Sequence, residues 1–340
     1  MRSIAQYASD HLNAGPKAKV DVENILKEKY NCKILTFNSP GAAFYTQKIK
    51  KRIEQLKKLI FCLFHIRGKE LTIIQAPFVN KKIFTNRLKN KIVLIHDLEG
   101  LRYGNDEKSN EEIEFLKTCN YIISHNEKMT SFLIEKGINK NKIINLELFD
   151  YLCNDFEQKK KNKIHKKLEI GFVGNLTKSP FLSQIKESEM DFVINLYGVL
   201  DNIKITNKKI NYKGKFKPDE LPNVLECDLG LVWDGNLDES DENEGFKNYS
   251  KYNNPHKLSC YIASDIPVIV WEKSAAAKFV KKHNIGYVIK NIYDINKLNT
   301  TDYEIKLKNV QKLGKKVRNG EYTVAAIEKA FDKINLEAKR

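Results

Sequence analysis

The segment Tyr252–Ile269, YNNPHKLSCYIASDIPVI, holds the residues with the most chemical content and reads as a turn, a helix and a buried strand. Asn254 suits an N-cap and Pro255 the first helical position, so the spacing predicts a helix that begins there. Lys257 then falls in the first turn, where the positive end of the helix dipole disfavours a cation unless an anion lies close. A phosphate is such an anion. Backbone N–H groups at the helix start, the Lys257 ammonium and the His256 ring would together form a compact diphosphate site. The competing reading is a surface lysine that points to water.

A second strand-to-helix corner is GFVGNLTKSPFL at 171–182, where Gly171 and Gly174 bracket the strand end and Pro180 can open the next helix. Lys178 could reach a phosphate oxygen there, the Asn175 amide a ribose or a phosphate, and Gly174 admits a ligand closely. Glycine turns after strands are common, however, and usually structural. In the first half, Asn13, Ala14 and Gly15 form a tight loop ahead of a helix carrying Val22, Ile25 and Leu26. The apolar run IVLIH ends in His96 and Asp97, followed by Leu98, Glu99 and Gly100, so titratable groups stand where a strand ends. A carboxylate there could deprotonate a hydroxyl. Equally, Asp97 could cap the next turn and His96 bond within the core.

The elements that must position these groups alternate along the chain. ILTF at 34–37, LTIIQ at 71–75, IVLIH at 92–96 and YIIS at 121–124 are apolar runs with helical segments between them, a pattern of parallel strands with crossover helices. Between the first two, Gln47–Phe64 places Ile49, Ile53, Leu56, Ile60 and Leu63 on one helical face against many lysines. This basic amphipathic helix packs on the sheet or rests on an anionic membrane surface. EQKKKNKIHKK at 157–167 cannot belong to a core and reads as a linker. The pattern then restarts with LEIGFVG, VINLYG, DLGLVW, IPVIVW and GYVI, and Asp302–Lys339 is helical with a break at Gly320. Two consecutive doubly wound lobes bind ligands beyond the carboxyl ends of their strands, which places the expected site between them.

A length of 340 residues suits two domains, and 41% hydrophobic with 30% charged residues can bury a core in each. No run of about 18 apolar residues occurs, and the first residues lack the apolar centre of a secretion signal, so the chain is expected to be cytoplasmic. The six cysteines are scattered without a close pair and read as reduced, mostly buried thiols. A net charge of +16 concentrates anionic partners near the surface. Nucleic acid would satisfy it, but no recognition motif accompanies the charge, so no specific nucleic-acid partner is expected.

YNNPHKLS followed by PVIVW, with GNLTKSP, DLGLVWDG and NAGPKAKVDVENIL, resembles the bacterial GT-B glycosyltransferases that include β-1,6-galactofuranosyltransferases and streptococcal adhesin glucosyltransferases. The resemblance spans nearly the whole chain. It implies an α/β GT-B fold, two Rossmann-like doubly wound domains facing a central cleft. The expected domains are 1–156 for the acceptor, a linker at 157–167, 168–318 for the nucleotide sugar, and a C-terminal helix at 319–340 returning to the first. It implies transfer of a hexosyl unit, galactofuranose or glucose, from a UDP-sugar to a cell-surface glycan or glycoprotein, and self-association.

Residue by residue, the resemblance assigns donor phosphates to Lys178 and Lys257, and further donor contacts to Gly174, Asn175, Asn254 and His256. Tyr249 and Tyr252 would frame the uridine or the sugar. The acceptor side takes Asn13, Gly15 and Glu99, with Asp97 as base beside His96. Asp265 stands where relatives usually have glycine, and Asp tolerates the left-handed turn better than most residues. The acidic stretch 234–247 reads as a mobile loop. No Asp-X-Asp triplet is present to hold a metal, so metal-independent transfer is expected, with no cofactor. No pair of glutamates eight apart precedes the Asn254 helix, which favours inversion. The alternative is a non-catalytic GT-B-like subunit that stabilises another transferase; peripheral contact with the inner face of the membrane fits either reading.

Overall fold

The computed structural model describes residues 1–8, 14–39, 70–77, 88, 90–158, 164–176, 179–200, 205–237 and 245–338. The helix expected over Gln47–Phe64, Asn13, Lys178 and residues 238–244 of the acidic stretch lie outside them. The chain divides into two units, Met1–Glu147 with Tyr322–Arg340, and Leu148–Glu321.

The first unit runs β1 Arg2–Ala8, α1 Ala14–Tyr30, β2 Lys33–Ser39, β3 Thr72–Ala76, β4 Lys91–Ile95, α2 Glu99–Arg102, α3 Asp106–Lys117, β5 Tyr121–Ser124, α4 Glu127–Glu135 and β6 Ile143–Asn145. Its strands form a parallel sheet in the order β2-β1-β3-β4-β5-β6. Ile73, Ile74 and all of Ile92–Ile95 have no exposed surface, which is why these strands read as unbroken apolar runs: a central parallel strand is covered on both faces. Local chemistry sets the helix starts. The Asn105 side chain accepts from Lys108 N and that of Asn126 from Lys128 N and Met129 N, satisfying N–H groups that α3 and α4 leave open.

His125, at the carboxyl end of β5, is buried and donates from Nε2 to the Ile95 carbonyl at 2.9 Å. Burial pulls its pKa from 6.5 down to about 4, with the bonds to the Ile95 and His96 backbone opposing that shift. The unfolded chain therefore binds the extra proton in this window. The stability from neutral His125 is complete above pH 6.5 and is lost as the pH falls toward 4, up to roughly 3 kcal/mol. Urea unfolding at pH 7 and pH 4 should show that His125→Gln, whose amide can still donate to Ile95, flattens this dependence. Identical slopes for the two proteins would show that another group carries it.

The second unit runs β7 Glu169–Asn175, α5 Phe181–Gln184, β8 Val193–Val199, β9 Ile210–Gly214, α6 Leu221–Val224, β10 Leu229–Val232, α7 Gly245–Tyr249, α8 His256–Ala263, β11 Val268–Trp271, α9 Ala275–His283, β12 Gly286–Ile289 and α10 Tyr303–Arg318. These strands make a second parallel sheet, β9-β8-β7-β10-β11-β12. At its edge, β9 exposes Asn211, Tyr212 and Lys213, as a strand with one neighbour and one wet side should. Phe172, Ile194, Leu196, Leu229, Leu231 and Ile269 form its buried centre.

Leu148–Asp155 belongs to this second unit, ahead of the basic run at 157–167 where a boundary is expected from composition. Specific bonds hold the segment there: Tyr151 N–H reaches the Val317 carbonyl at 3.1 Å, and its hydroxyl donates to the Pro218 carbonyl at 2.5 Å. Charge density marks where a core cannot be, but such bonds are invisible in composition. Asp265 takes the left-handed turn at φ 55°, with Arg318 Nη1 bonded to its carboxylate at 2.8 Å and to the Ala263 carbonyl at 2.6 Å. Gly320, at φ 76°, separates α10 from α11 Glu321–Ala338. α11 belongs to the first unit, where Phe331 meets the edge of Tyr30 at 5.4 Å and Lys333 donates to the Asn141 carbonyl at 2.8 Å.

Candidate active site

In the second sheet the strand order reverses between β7 and β10. Open α/β sheets bind ligands at such a switch point, beyond the carboxyl ends of the strands. β7 ends there in Gly174 and Asn175, and β10 is followed by Trp233 and Asp234. Gly174 has φ 137°, and a Cβ built on it would meet nothing within 4 Å. The corner is thus open to a ligand, yet strained for any side chain. Behind it, Gly198 leaves room for the Gly174 carbonyl, which would lie 1.8 Å from a Cβ on Gly198. Asn175 is exposed, and its carbonyl accepts from Ser179 Oγ at 3.3 Å.

α8 points its amino end at this corner through Lys257. The helix begins at His256, with Pro255 as N-cap at φ −69° and ψ 136°, one residue later than the Asn254 cap and Pro255 first turn expected from sequence. A proline ring fixes φ near the same value for either position, so only ψ, which the tertiary structure sets, decides between them. Asn254 is buried, and the N-cap residue Pro255 has no side-chain oxygen to accept from the first N–H groups of α8. His256 stacks on Tyr151 at 4.8 Å and its Nε2 donates to the Asp150 carbonyl at 3.2 Å.

Lys257 does not point to water; its side chain is 13% exposed. Nζ donates to the Trp233 carbonyl at 2.8 Å and to Asp234 Oδ1 at 2.9 Å, 4.6 Å above the Phe172 ring. The anion that a lysine in a first helical turn requires is therefore supplied from within the chain by Asp234. An ammonium has three N–H donors, and two are used in these bonds. Asn253 adds a buried Oδ1 that accepts no hydrogen bond among the described residues. A cation in the first turn of a helix, beside the switch point of a parallel sheet, is an arrangement suited to a phosphorylated ligand.

Of the tyrosines assigned to the donor, Tyr249 is 2% exposed and sits in the core, while Tyr252 is half-buried. Sequence reasoning missed Asp234, Trp233 and Phe172 as partners of Lys257. Asp234 was legible by the strand-end rule that singled out Asp97, because it follows the apolar run DLGLVW. Lys247 was missed as well. It is buried with Nζ 5.1 Å from the ring centres of both Trp233 and Trp271, and donates to the Asn236 carbonyl at 3.3 Å. It ties together the carboxyl ends of β10 and β11.

In the first unit, Asp97 and His96 follow the carboxyl end of β4. Asp97 Oδ2 accepts from Arg102 Nη1 at 2.8 Å on α2, so the carboxylate bonds forward in the chain and is held in a fixed direction. Gln75 donates from Nε2 to the Lys19 carbonyl at 3.3 Å, which turns its Oε1 to His96 Nε2 at 2.8 Å and makes that nitrogen the donor. Lys19 donates to the Pro77 carbonyl at 3.4 Å. Burial pulls its ammonium down to about 8, against the attraction of Asp97, Glu99 and Glu23. Glu99 pairs with Lys108 at 2.5 Å, and the buried Glu112 carboxylate accepts the Glu99 and Gly100 N–H groups at the start of α2. Gly15 lies in the first turn of α1. Among the described residues no three His, Cys, Asp or Glu side chains stand close enough to hold a metal ion, and no helix is long and apolar enough to cross a membrane.

Two doubly wound parallel sheets in one chain are the architecture of the GT-B glycosyltransferases. Solved structures agree in fold. The lipopolysaccharide outer core galactosyltransferase WaaB superposes with a TM-score of 0.64 at 9% identity over 98% of this chain and 100% of its own. Anabaena Alr3699/HepE in complex with UDP-glucose gives 0.59 at 11% over 98% and 99%. Within that class, the chain belongs to the glucosyltransferase 3-like family, whose N-terminal domain matches residues 3–148 and whose C-terminal domain matches residues 170–330. It is similar to the β-1,6-galactofuranosyltransferase WbbI of Escherichia coli (strain K12), 29% identical over 95% of this chain and 96% of that one. To glucosyltransferase 3 of Streptococcus parasanguinis it is 26% identical over 85% and 87%. The chain is thus a glycosyltransferase of the hexosyl-transferring kind.

Proposed function

We propose that this transferase moves galactofuranose or glucose from a UDP-sugar to a cell-surface glycan or glycoprotein, with inversion and without a metal. The diphosphate lies against Lys257, Lys178 and the start of α8. Asn175, Asn254, His256 and Tyr252 take the rest of the donor, and the first unit takes the acceptor near Asn13, Gly15 and Glu99. The acceptor hydroxyl attacks the anomeric carbon as Asp97 takes its proton. The bond from that carbon to the UDP oxygen breaks, and the negative charge leaving with UDP is met by lysine and helix N–H groups. Self-association and peripheral contact with anionic membrane belong to the same reading.

The observation that carries it is the seat of Lys257 at the β7/β10 switch point, in the first turn of α8. The names of the relatives support hexose as the transferred unit, and the UDP-glucose complex of a protein with this fold supports the donor class. Isothermal titration with UDP should show saturable binding, and a screen of UDP-sugars should show hydrolysis of one of them at a rate unchanged by EDTA. Binding that EDTA abolishes overturns the metal-free reading. No heat with UDP overturns the donor site and leaves a non-catalytic subunit as the function.

A further inference from the structure

The parallel ladder between β7 and β10 is short: Leu229 pairs with Ile170 and Gly230 with Gly171, and the ladder does not continue toward the switch point. Polar backbone groups of both strands are left facing the gap, and one side chain from α8 fills it. The Tyr261 hydroxyl accepts from Val173 N–H at 2.9 Å and shares its proton between the Gly171 carbonyl at 2.8 Å and the Leu231 carbonyl at 3.3 Å. The sequence makes room for the ring. A Cβ on Gly230 would stand 2.3 Å from Tyr261 Cγ, and one on Gly171 would stand 2.5 Å from Cys227 Sγ and 3.8 Å from Tyr261 Cε1. The ring has no exposed surface, and burial holds the phenol well above 10, so the hydroxyl keeps the proton it donates.

We infer that Tyr261 is a positioning residue for the donor site, a pin that fixes how far the Gly174–Asn175 corner of β7 stands from the Trp233–Asp234 corner of β10 and holds α8, with Lys257 one turn away, against both. The inference rests on the donor site proposed above. Geometry gives it its reach. Val173 directly precedes Gly174, Leu231 lies three residues before Asp234, and Lys257 and Tyr261 share one face of α8 at i, i+4. A shift in the gap therefore moves both rims of the corner and its cation together.

The test is UDP titration of the full chain and of three variants, each with its thermal midpoint. Tyr303→Phe is the control. Tyr303 is buried and donates to the Asp228 carbonyl at 3.2 Å, at the opposite end of β10, so its hydroxyl has comparable structural weight away from the site. Tyr261→Phe should lower the midpoint about as much as Tyr303→Phe but alone weaken UDP, by about tenfold, the equivalent of one misplaced hydrogen bond. UDP affinity unchanged in Tyr261→Phe while Lys257→Ala has lost it overturns the inference and leaves the donor site standing, as does equal weakening by both tyrosine variants. If the wild type does not bind UDP, the donor site fails first. Should Tyr261→Phe not fold, hydrogen exchange of the wild type decides: UDP should slow the Val173 amide more than the Ile194 amide, and equal effects overturn the inference.

Discussion

Replacing Lys257 by Ala is expected to lower turnover by about 10²–10³, the usual cost of losing one fixed group that meets charge developing in a transition state. The rate of leaving-group departure depends on how well the second negative charge on UDP is met. In the proposed mechanism Lys257 is set for that role before the donor arrives, with Nζ on the Trp233 carbonyl and Asp234 and over the Phe172 ring. Stability should change little. Asp234 is 29% exposed and rehydrates when its partner is removed, so the lost ion pair costs within about 1 kcal/mol. Lys257→Met keeps the apolar stem and removes only the charge, which separates packing from electrostatics. Equal losses of kcat in Ala and Met assign the effect to charge. Unchanged kcat in both takes Lys257 out of the mechanism.

The second large effect is expected at Asp97. Asp97→Asn retains shape and the capacity to face Arg102 but cannot take a proton, so transfer should fall by about 10²–10⁴ while UDP affinity stays at the wild-type value. Direction matters here as much as acidity. The Arg102 bond at 2.8 Å turns one carboxylate oxygen toward α2, and the Gln75–His96 bond sets the adjacent imidazole. Near-normal transfer by Asp97→Asn with intact UDP binding rejects the assignment, and transfer by Asp97→Asn that is lost together with UDP binding shows a folding defect instead.

Much of this arrangement is legible in the residues because it follows from short-range rules. Parallel strands buried on both faces demand unbroken apolar runs, so ILTF, LTIIQ, IVLIH, YIIS and their counterparts after residue 168 announce an α/β chain. The left-handed turn at Asp265 and the helix break at Gly320 follow from local backbone preference in the same way. The corner at Gly174 and the helix around Lys257 are each visible as a strand end or a helix start.

What stays hidden is which of these ends meet. Strand order is set by long-range pairing, and no local pattern in the sequence reports that β7 lies beside β10 and so brings Gly174, Trp233 and Asp234 to one corner. For the same reason the chain itself supplied the anion for Lys257 from Asp234, 23 positions away, and Tyr261 appears only as an ordinary helix aromatic until its hydroxyl is seen between two strands. The sequence by itself determined the class of fold, since periodicity acts over a few residues, and its resemblance to known motifs pointed to the glycosyltransferase family. Tertiary structure alone decided their partners, because a hydrogen bond or an ion pair depends on distance in space, and distance between remote segments is settled only when the sheets assemble.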